Sequence, residues 1–216
     1  MQKFIFAYKI DVCMWWLIIS LTATLLLLLF LLNFYRDPER KVPEGNNIVS
    51  PADGKIISIL KVKDEAININ KGFLGKIQTL TKDVAKECYV ISIFMSPLDV
   101  HVNRAPVGGK IVSIKHEKGK YFAAFDIKKS LINEKNEITI KNEKIGKIKV
   151  IQIAGFLARR IVCSVNKNEK INKTQRIGKI VLGSQVILIL PFEKIWLKAR
   201  KGQKVVGGET IIAKIK

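Results

Sequence analysis

Histidine is nearly absent from this 216-residue chain, which has only His101 and His116. Imidazole-based zinc chemistry is therefore disfavoured, and any histidine-dependent proton transfer has two candidates. Cysteine is almost as scarce: Cys13, Cys88 and Cys163 are odd in number and far apart. No C-x-x-C motif or disulfide framework can be drawn from them, and buried, reduced thiols are expected. Acidic residues are also in short supply, 18 against 38 Lys and Arg, for a formal net charge of +20. That excess points to an anionic partner, either nucleic acid or an acidic lipid surface. The cations are mostly Lys in an Ile- and Asn-rich chain, so compositional drift supplies part of the excess. They are dispersed and no aromatic-basic recognition motif accompanies them, which argues against nucleic acid.

One long stretch has no charge at all. Residues 12–35 hold Trp15 and Trp16 at one end, a leucine block at 25–29, and Phe34 and Tyr35 at the other. Crossing a bilayer takes about 20 apolar residues, and aromatic residues mark both interfaces of such spans. A cleaved signal peptide is the competing reading, but the apolar run is too long and no small-x-small site follows it. Residues 1–35 are therefore expected to anchor the chain in a membrane, with monotopic insertion as the alternative to a full span. Lys3 and Lys9 before the run and Arg36, Arg40 and Lys41 after it are too evenly matched to set orientation. The basic domain that follows and the unpaired cysteines favour the cytoplasmic side of the cell membrane.

Beyond Pro43 and Gly45 the pattern becomes short, Ile- and Val-rich and often alternating. It predicts strands over 55–62, 88–95, 110–115, 137–141, 145–153, 160–165, 177–182 and 186–190. Residues 36–216 should thus form one mainly β (α+β) domain. A weak repeat, Lys167-Asn168-Glu169-Lys170-Ile171 leading to 177–180, recurs as Lys201-Gly202-Gln203-Lys204-Val205 leading to 212–215. This spacing matches the turns of biotinyl and lipoyl carrier barrels and predicts a barrel-like architecture. No Lys lies between two Met residues and no Asp-Lys-Ala is present, so the attachment site of a carrier is missing.

Four segments could carry chemistry. Gly183-Ser184 interrupts the apolar runs 180–182 and 186–190, which look like the arms of a buried hairpin. Its ordinary reading is a tight turn. Its chemical reading is a glycine whose peptide bond tolerates unusual geometry, next to a hydroxyl able to attack that bond. Ser50-Pro51-Ala52-Asp53-Gly54-Lys55 places an Asp in a turn, where Asp-Gly is common. Phe94 to Pro106 places His101, Asn103 and Arg104 in a loop after an apolar strand, the kind of position catalytic residues occupy, although loop histidines are often merely solvated. Ile153 to Cys163 carries Arg159 and Arg160, suited to a phosphodiester or to a structural ion pair.

Six ordered blocks resemble the phosphatidylserine decarboxylase proenzymes of the short bacterial and archaeal type. They are the leucine-rich segment ending in Phe34-Tyr35-Arg36-Asp37-Pro38-Glu39-Arg40, then 50–56, 95–107, 116–122, 151–163 and 176–191. The resemblance implies self-cleavage between Gly183 and Ser184, giving a β chain of residues 1–183 and an α chain of residues 184–216 that stay associated. Ser184 would become a covalently bound pyruvoyl group, with no metal required. Its ketone would form a Schiff base with the serine headgroup of a membrane phospholipid, and carbon dioxide would leave to give phosphatidylethanolamine. The family's Asp-His-Ser arrangement maps onto Asp53, His101 and Ser184. Many longer relatives have a second histidine where this chain has Arg104. Either His101 serves both self-cleavage and decarboxylation, or His116 takes one role; the match around His101 favours the first. Arg159 and Arg160 would bind the headgroup phosphate. Two rival readings are a pyruvoyl enzyme for another serine phospholipid, such as an ether-linked one, and a non-enzymatic, membrane-tethered lipid-binding β module.

Overall fold

The computed structural model describes residues 2–63, 80–119, 131–155, 160–181 and 184–216. The chain divides into two compact units, Met1–Arg36 and Asp37–Lys216. The first is one helix, α1 (Gln2–Phe34). From Met14 to Phe34 its mean hydropathy is 2.5, and it is long and apolar enough to cross a membrane. Its leucine-rich faces are exposed, from Leu17 to Leu29. The few hydroxyls are satisfied within the helix: Thr22 Oγ1 donates to Ile18 O at 2.7 Å and Thr24 Oγ1 to Ser20 O at 2.8 Å. A helix in hydrocarbon must meet that requirement internally. At its end the Arg36 guanidinium caps the Asn33 carbonyl.

The second unit is built from strands. In chain order these are β1 (Asn47–Val49), β2 (Gly54–Lys63), β3 (Glu87–Met95), β4 (Val102–Arg104), β5 (Gly109–Glu117), β6 (Lys135–Asn142) and β7 (Gly146–Ala154). They continue with β8 (Arg160–Cys163), β9 (Lys170–Ile171), β10 (Arg176–Val181), β11 (Ser184–Pro191), β12 (Ile195–Leu197), β13 (Lys204–Val205) and β14 (Ile211–Ile215). An eight-stranded sheet runs β13-β2-β3-β11-β7-β6-β5-β9, and two three-stranded sheets run β1-β14-β12 and β4-β10-β8. The mainly β, barrel-like domain expected from the sequence is the one found.

Every residue of β11 is buried. Its continuous apolar run is what a strand covered on both faces requires. Val186, Leu188 and Leu190 join the larger core with Ile91, Ile93 and Val150. Ile187 and Ile189 join a second core with Cys88, Val90, Ile151 and Ile153. At β2 a register shift between Ile56 and Ser58 reverses the alternation, so Ile56 and Ile59 face the first core while Leu60 and Val62 face the second.

The repeat is real and larger than the sequence suggested. Asn168 and Thr174 have φ of 73° and 68°, and Gly202 and Gly208, at the corresponding places in the second copy, have 85° and 82°. Each copy docks on its own strand in the same way: Asn168 N and Gly202 N donate to Ile111 O and Ile56 O. Those strands repeat as well. Gly54-Lys55-Ile56-Ile57-Ser58 on β2 answers Gly109-Lys110-Ile111-Val112-Ser113 on β5, with the register shift at the same point in both.

The expected hairpin around Gly183 is absent. β10 pairs with β4 and β8, whereas β11 pairs with β3 and β7. Two consecutive apolar strands separated by a glycine look like a hairpin locally. Here each finds partners distant in sequence, and the chain changes sheet between Val181 and Ser184.

Candidate functional site

Ser184 is the first residue of β11. Three strands bring a row together at this end of the sheet: Met95 on β3, Ser184 on β11 and Ala154 on β7 are register partners. Ser184 is fully buried, and its Oγ donates to the Met95 thioether sulfur at 3.3 Å. A thioether is a weak acceptor, so this contact orients the hydroxyl without stabilising it strongly. Gly183, the other half of the expected scissile bond, lies outside the described residues, as does Arg159.

His101 precedes β4 and is 3 % exposed. Its backbone carbonyl accepts from Ile180 N on β10, the strand that runs into the Gly183-Ser184 junction. Its Nδ1 lies 2.8 Å from Asp99 O. A carbonyl oxygen can only accept, so Nδ1 carries a proton and Nε2 is the ring nitrogen left for proton transfer. Asp99, in turn, accepts from Ser96 N at 2.7 Å and shapes the loop that holds the ring.

Asp53 has different company from that expected. Its carboxylate takes two hydrogen bonds from Arg40 Nη2, at 3.0 and 2.9 Å, and one from Gly207 N at 2.7 Å. It stands at the same end of the sheet, because Gly54 opens β2 against Phe94 of β3: a Cβ at Gly54 would fall 2.2 Å from Phe94 O. Arg104 binds the backbone beside it, donating from its N to Pro51 O. Its guanidinium, buried, reaches Asp37 Oδ1 at 2.6 Å, Pro38 O at 3.0 Å and Thr174 O at 3.3 Å. Arg40 and Arg104 lie together under Gly208, where an added Cβ would meet Arg104 Cδ at 3.1 Å and Arg40 Cγ at 3.4 Å.

The linker after α1 is thus clamped by ion pairs. Arg176 on β10 completes them by binding Asp37 and Glu39. The Arg176 hydrogen bond holds the Glu39 carboxyl below the usual range, and Glu39 in turn pushes the Arg176 guanidinium up.

His116 is elsewhere. It sits on β5, and β7 and β6 separate β5 from β11 in the sheet. Three interstrand spacings put it roughly 14 Å from β11 along the sheet. Its Nε2 is 3.4 Å from Glu134 Oε1 and its side chain is 46 % exposed. Arg160 opens β8, exposed, in register with Val181, two residues short of Gly183. Strand pairing thus sets Ser184, the His101 backbone, Asp53 and Arg160 on neighbouring strands near the ends of β10 and β11, and sets His116 three strands from Ser184.

Three amides extend from the Met95 sulfur that Ser184 contacts; Asn103 was marked in the sequence with His101 and Arg104, whereas Gln152 and Asn136 had no signal there. Asn103 Nδ2 donates to the same Met95 sulfur at 3.7 Å. Gln152 Nε2 donates to Asn103 Oδ1 at 2.8 Å, and Asn136 Nδ2 to Gln152 Oε1 at 2.9 Å. All three amides are buried. Single amides in strands look like surface positions, and only the pairing of β6 with β7 and the packing of the β4-β10-β8 sheet onto them make these neighbours.

Comparison with known proteins bears on this site. Residues 27–213 match the phosphatidylserine decarboxylase family, a span that covers most of the chain and includes His101, Asp53 and Ser184. The chain belongs to the phosphatidylserine decarboxylase family. It is 46% identical over 190 residues to a protein of Methanocaldococcus jannaschii provisionally named archaetidylserine decarboxylase proenzyme, covering 87% of this chain and 90% of that one. It is 41% identical over 197 residues to the phosphatidylserine decarboxylase proenzyme of Chlorobium phaeobacteroides, covering 91% and 84%. The proenzyme of Chlorobaculum tepidum is also 41% identical, over 196 residues, covering 90% and 82%. Phosphatidylserine decarboxylase relatives named as proenzymes put the buried hydroxyl that opens β11 in a chemical context.

Proposed function

We propose that this chain is a self-processing decarboxylase of serine phospholipids, that Ser184 is both its cleavage nucleophile and the source of its pyruvoyl group, and that it yields the ethanolamine lipid. What carries it is the placement of Ser184, fully buried at the first position of the central strand and directly after Gly183, in a chain whose family match spans it. Family membership makes the chain a carboxy-lyase of phospholipid metabolism.

In self-cleavage, the Ser184 Oγ adds to the Gly183 carbonyl carbon. The C–N bond breaks, and His101 Nε2 carries the hydroxyl proton to the departing nitrogen. Loss of the Cα proton of residue 184 then breaks the Cβ–Oγ bond, and Oγ remains with Gly183 as a carboxylate. Water replaces the nitrogen at Cα, and ammonia is released. Asp53 keeps the part of the anion behind the site, held in place by Arg40 and the Gly207 amide rather than free to move.

The residues around position 184 fit a pyruvoyl group. The side chain is enclosed, its hydroxyl donates to a thioether, and strands β3 and β7 grip the backbone on both sides. Once bound, that group supplies an electrophilic ketone that takes the substrate amine and withdraws electrons as carbon dioxide leaves. The chain's own part is to orient the headgroup and return a proton: His101 would carry the proton, and Arg159 and Arg160 would bind the phosphate. The two products of cleavage stay together because the α chain contributes β11 between β3 and β7, β13 on β2 and β14 on β1.

The relatives' names differ in the lipid but share the serine headgroup, and it is this headgroup that the site would engage. The N-terminal helix would hold the domain at the membrane, on the cytoplasmic side, where a net charge of +20 meets anionic headgroups.

The test is the intact mass of the purified protein beside its Ser184→Ala variant. Wild type should give two fragments divided at Gly183/Ser184, the smaller lighter than a serine-started peptide by one ammonia, while the variant stays whole. A single chain in both would sink the proposal.

A further inference from the structure

The buried amides beside Ser184 form a chain with a direction. Asn136 donates to Gln152 Oε1, Gln152 donates to Asn103 Oδ1, and Asn103 Nδ2 points on to the Met95 sulfur, where the Ser184 hydroxyl also donates. The sulfur carries no proton and can only accept, so the amide end facing it must be the NH2. Reversing the three amides would set Asn103 Oδ1 against sulfur lone pairs and leave no hydrogen bond there. The direction is thereby fixed from the Met95 end, and the chain delivers a donor to the surroundings of Ser184.

Packing holds it so. Asn103, Gln152 and Asn136 are at most 1 % exposed. Gly178 on β10 is the register partner of Asn103, and a Cβ there would lie 3.0 Å from Gln152 Nε2 and 2.3 Å from Val162 O. A glycine is needed for β10 to press onto the Gln152 amide, so the strand that leads to the scissile bond is seated on this chain. A buried, directed donor costs nothing to reorganise when charge develops.

We propose that Asn103, oriented by Gln152 and Asn136, is a positioning residue for self-cleavage: it competes with the Ser184 hydroxyl for the Met95 sulfur and presents an N–H donor beside the attacking Oγ. This rests on the self-processing reading above. With the donor in place the hydroxyl has only a shared, weak acceptor, and its proton is available to His101. The chain makes no claim on the substrate.

The test compares processing half-times of freshly synthesised wild-type, Asn103→Asp and Asn136→Ala precursors by gel, with melting temperature measured alongside. Asn103→Asp keeps the shape but replaces the donor by an acceptor. It should slow cleavage on the order of 10–100-fold at neutral pH, the scale of losing a preorganised donor. The ratio to wild type should recover as pH falls, because a protonated carboxyl donates again. Met95, Gly178 and Gln152 around it do not titrate, and the titrations of His101, Asp53, Arg104 and Lys179, present in both proteins, are read from the wild-type profile. Cleavage of Asn103→Asp at the wild-type rate, or a slowing whose ratio ignores pH, overturns the proposal. If Asn103→Asp fails to fold, Asn136→Ala decides: several-fold slower cleavage at a near-normal melting temperature supports the relay, and an unchanged rate overturns it. Wild type that never cleaves would instead defeat the self-processing reading itself.

Discussion

At the scale of single residues, the two histidines of the chain, of which the sequence favoured His101, have unequal surroundings. His101 is buried, has its Nδ1 proton tied to a backbone carbonyl, and adjoins the strand entering the junction. His116 is half exposed beside Glu134, three strands from β11. His101→Gln should therefore slow precursor cleavage by at least 100-fold, the usual contribution of a positioned general base. His116→Gln should leave it within about threefold, as expected of a surface substitution worth under ~0.5 kcal/mol. Gel-based processing time courses read both. Cleavage that survives the first and fails in the second would reverse the assignment. Arg104 shows what the sequence could not convey. Where many longer relatives have a second histidine, its guanidinium is committed to Asp37, Pro38 and Thr174. An arginine there does not act as a base; it ties the linker to β4.

At the scale of elements, the linker 37–40 is joined to β4 and β10 by Arg104 and Arg176, and to the turn before β2 through Arg40 and Asp53. Glu39 gives this clamp a pH dependence. Its carboxyl is held below the ordinary value by Arg176, so the stability it contributes is present above the unfolded-state pKa and disappears as pH falls through the lower folded-state value. Arg176, raised, stays charged throughout this range. The difference in melting temperature between wild type and Glu39→Gln should be small at neutral pH, shrink in high salt, and vanish in acid. A difference that grows on acidification would contradict this assignment. The β strands themselves were legible because alternation is local: 88–95 and 186–190 were expected within a residue or so of β3 and the interior of β11. The short strands β1, β4, β9 and β13 were not, since two or three residues give no period and their pairing is set by distant partners.

At the scale of the whole molecule, an apolar helix and a strongly basic β domain offer two independent routes to a membrane. Full-length protein should remain with vesicles of any headgroup charge, through burial of α1. A variant lacking residues 1–36 should bind anionic vesicles alone and leave them in high salt, because a surface potential is screened within about 8 Å at physiological ionic strength. Sedimentation with neutral and anionic vesicles reads both arms. Truncated protein that holds to neutral vesicles would mean the β domain has its own apolar membrane surface. The truncated protein should still cleave itself, since Ser184, His101, Asp53 and Arg40 all belong to the unit Asp37–Lys216.

The sequence by itself determined the membrane-type helix, the β character of the remainder and the turn repeat, and it singled out Gly183-Ser184. Each is written in contiguous residues: an uncharged apolar run, a period of two, a glycine beside a hydroxyl. Tertiary structure alone decided that β10 and β11 are not a hairpin, that Asp53 is held by Arg40, that His101 and not His116 stands near the junction, and that Asn103, Gln152 and Asn136 meet. These depend on which strands pair across long separations. A polar residue on a strand carries no mark of the neighbour it will face, and burial in the core, decided by all the strands at once, turns three separate amides into one directed chain.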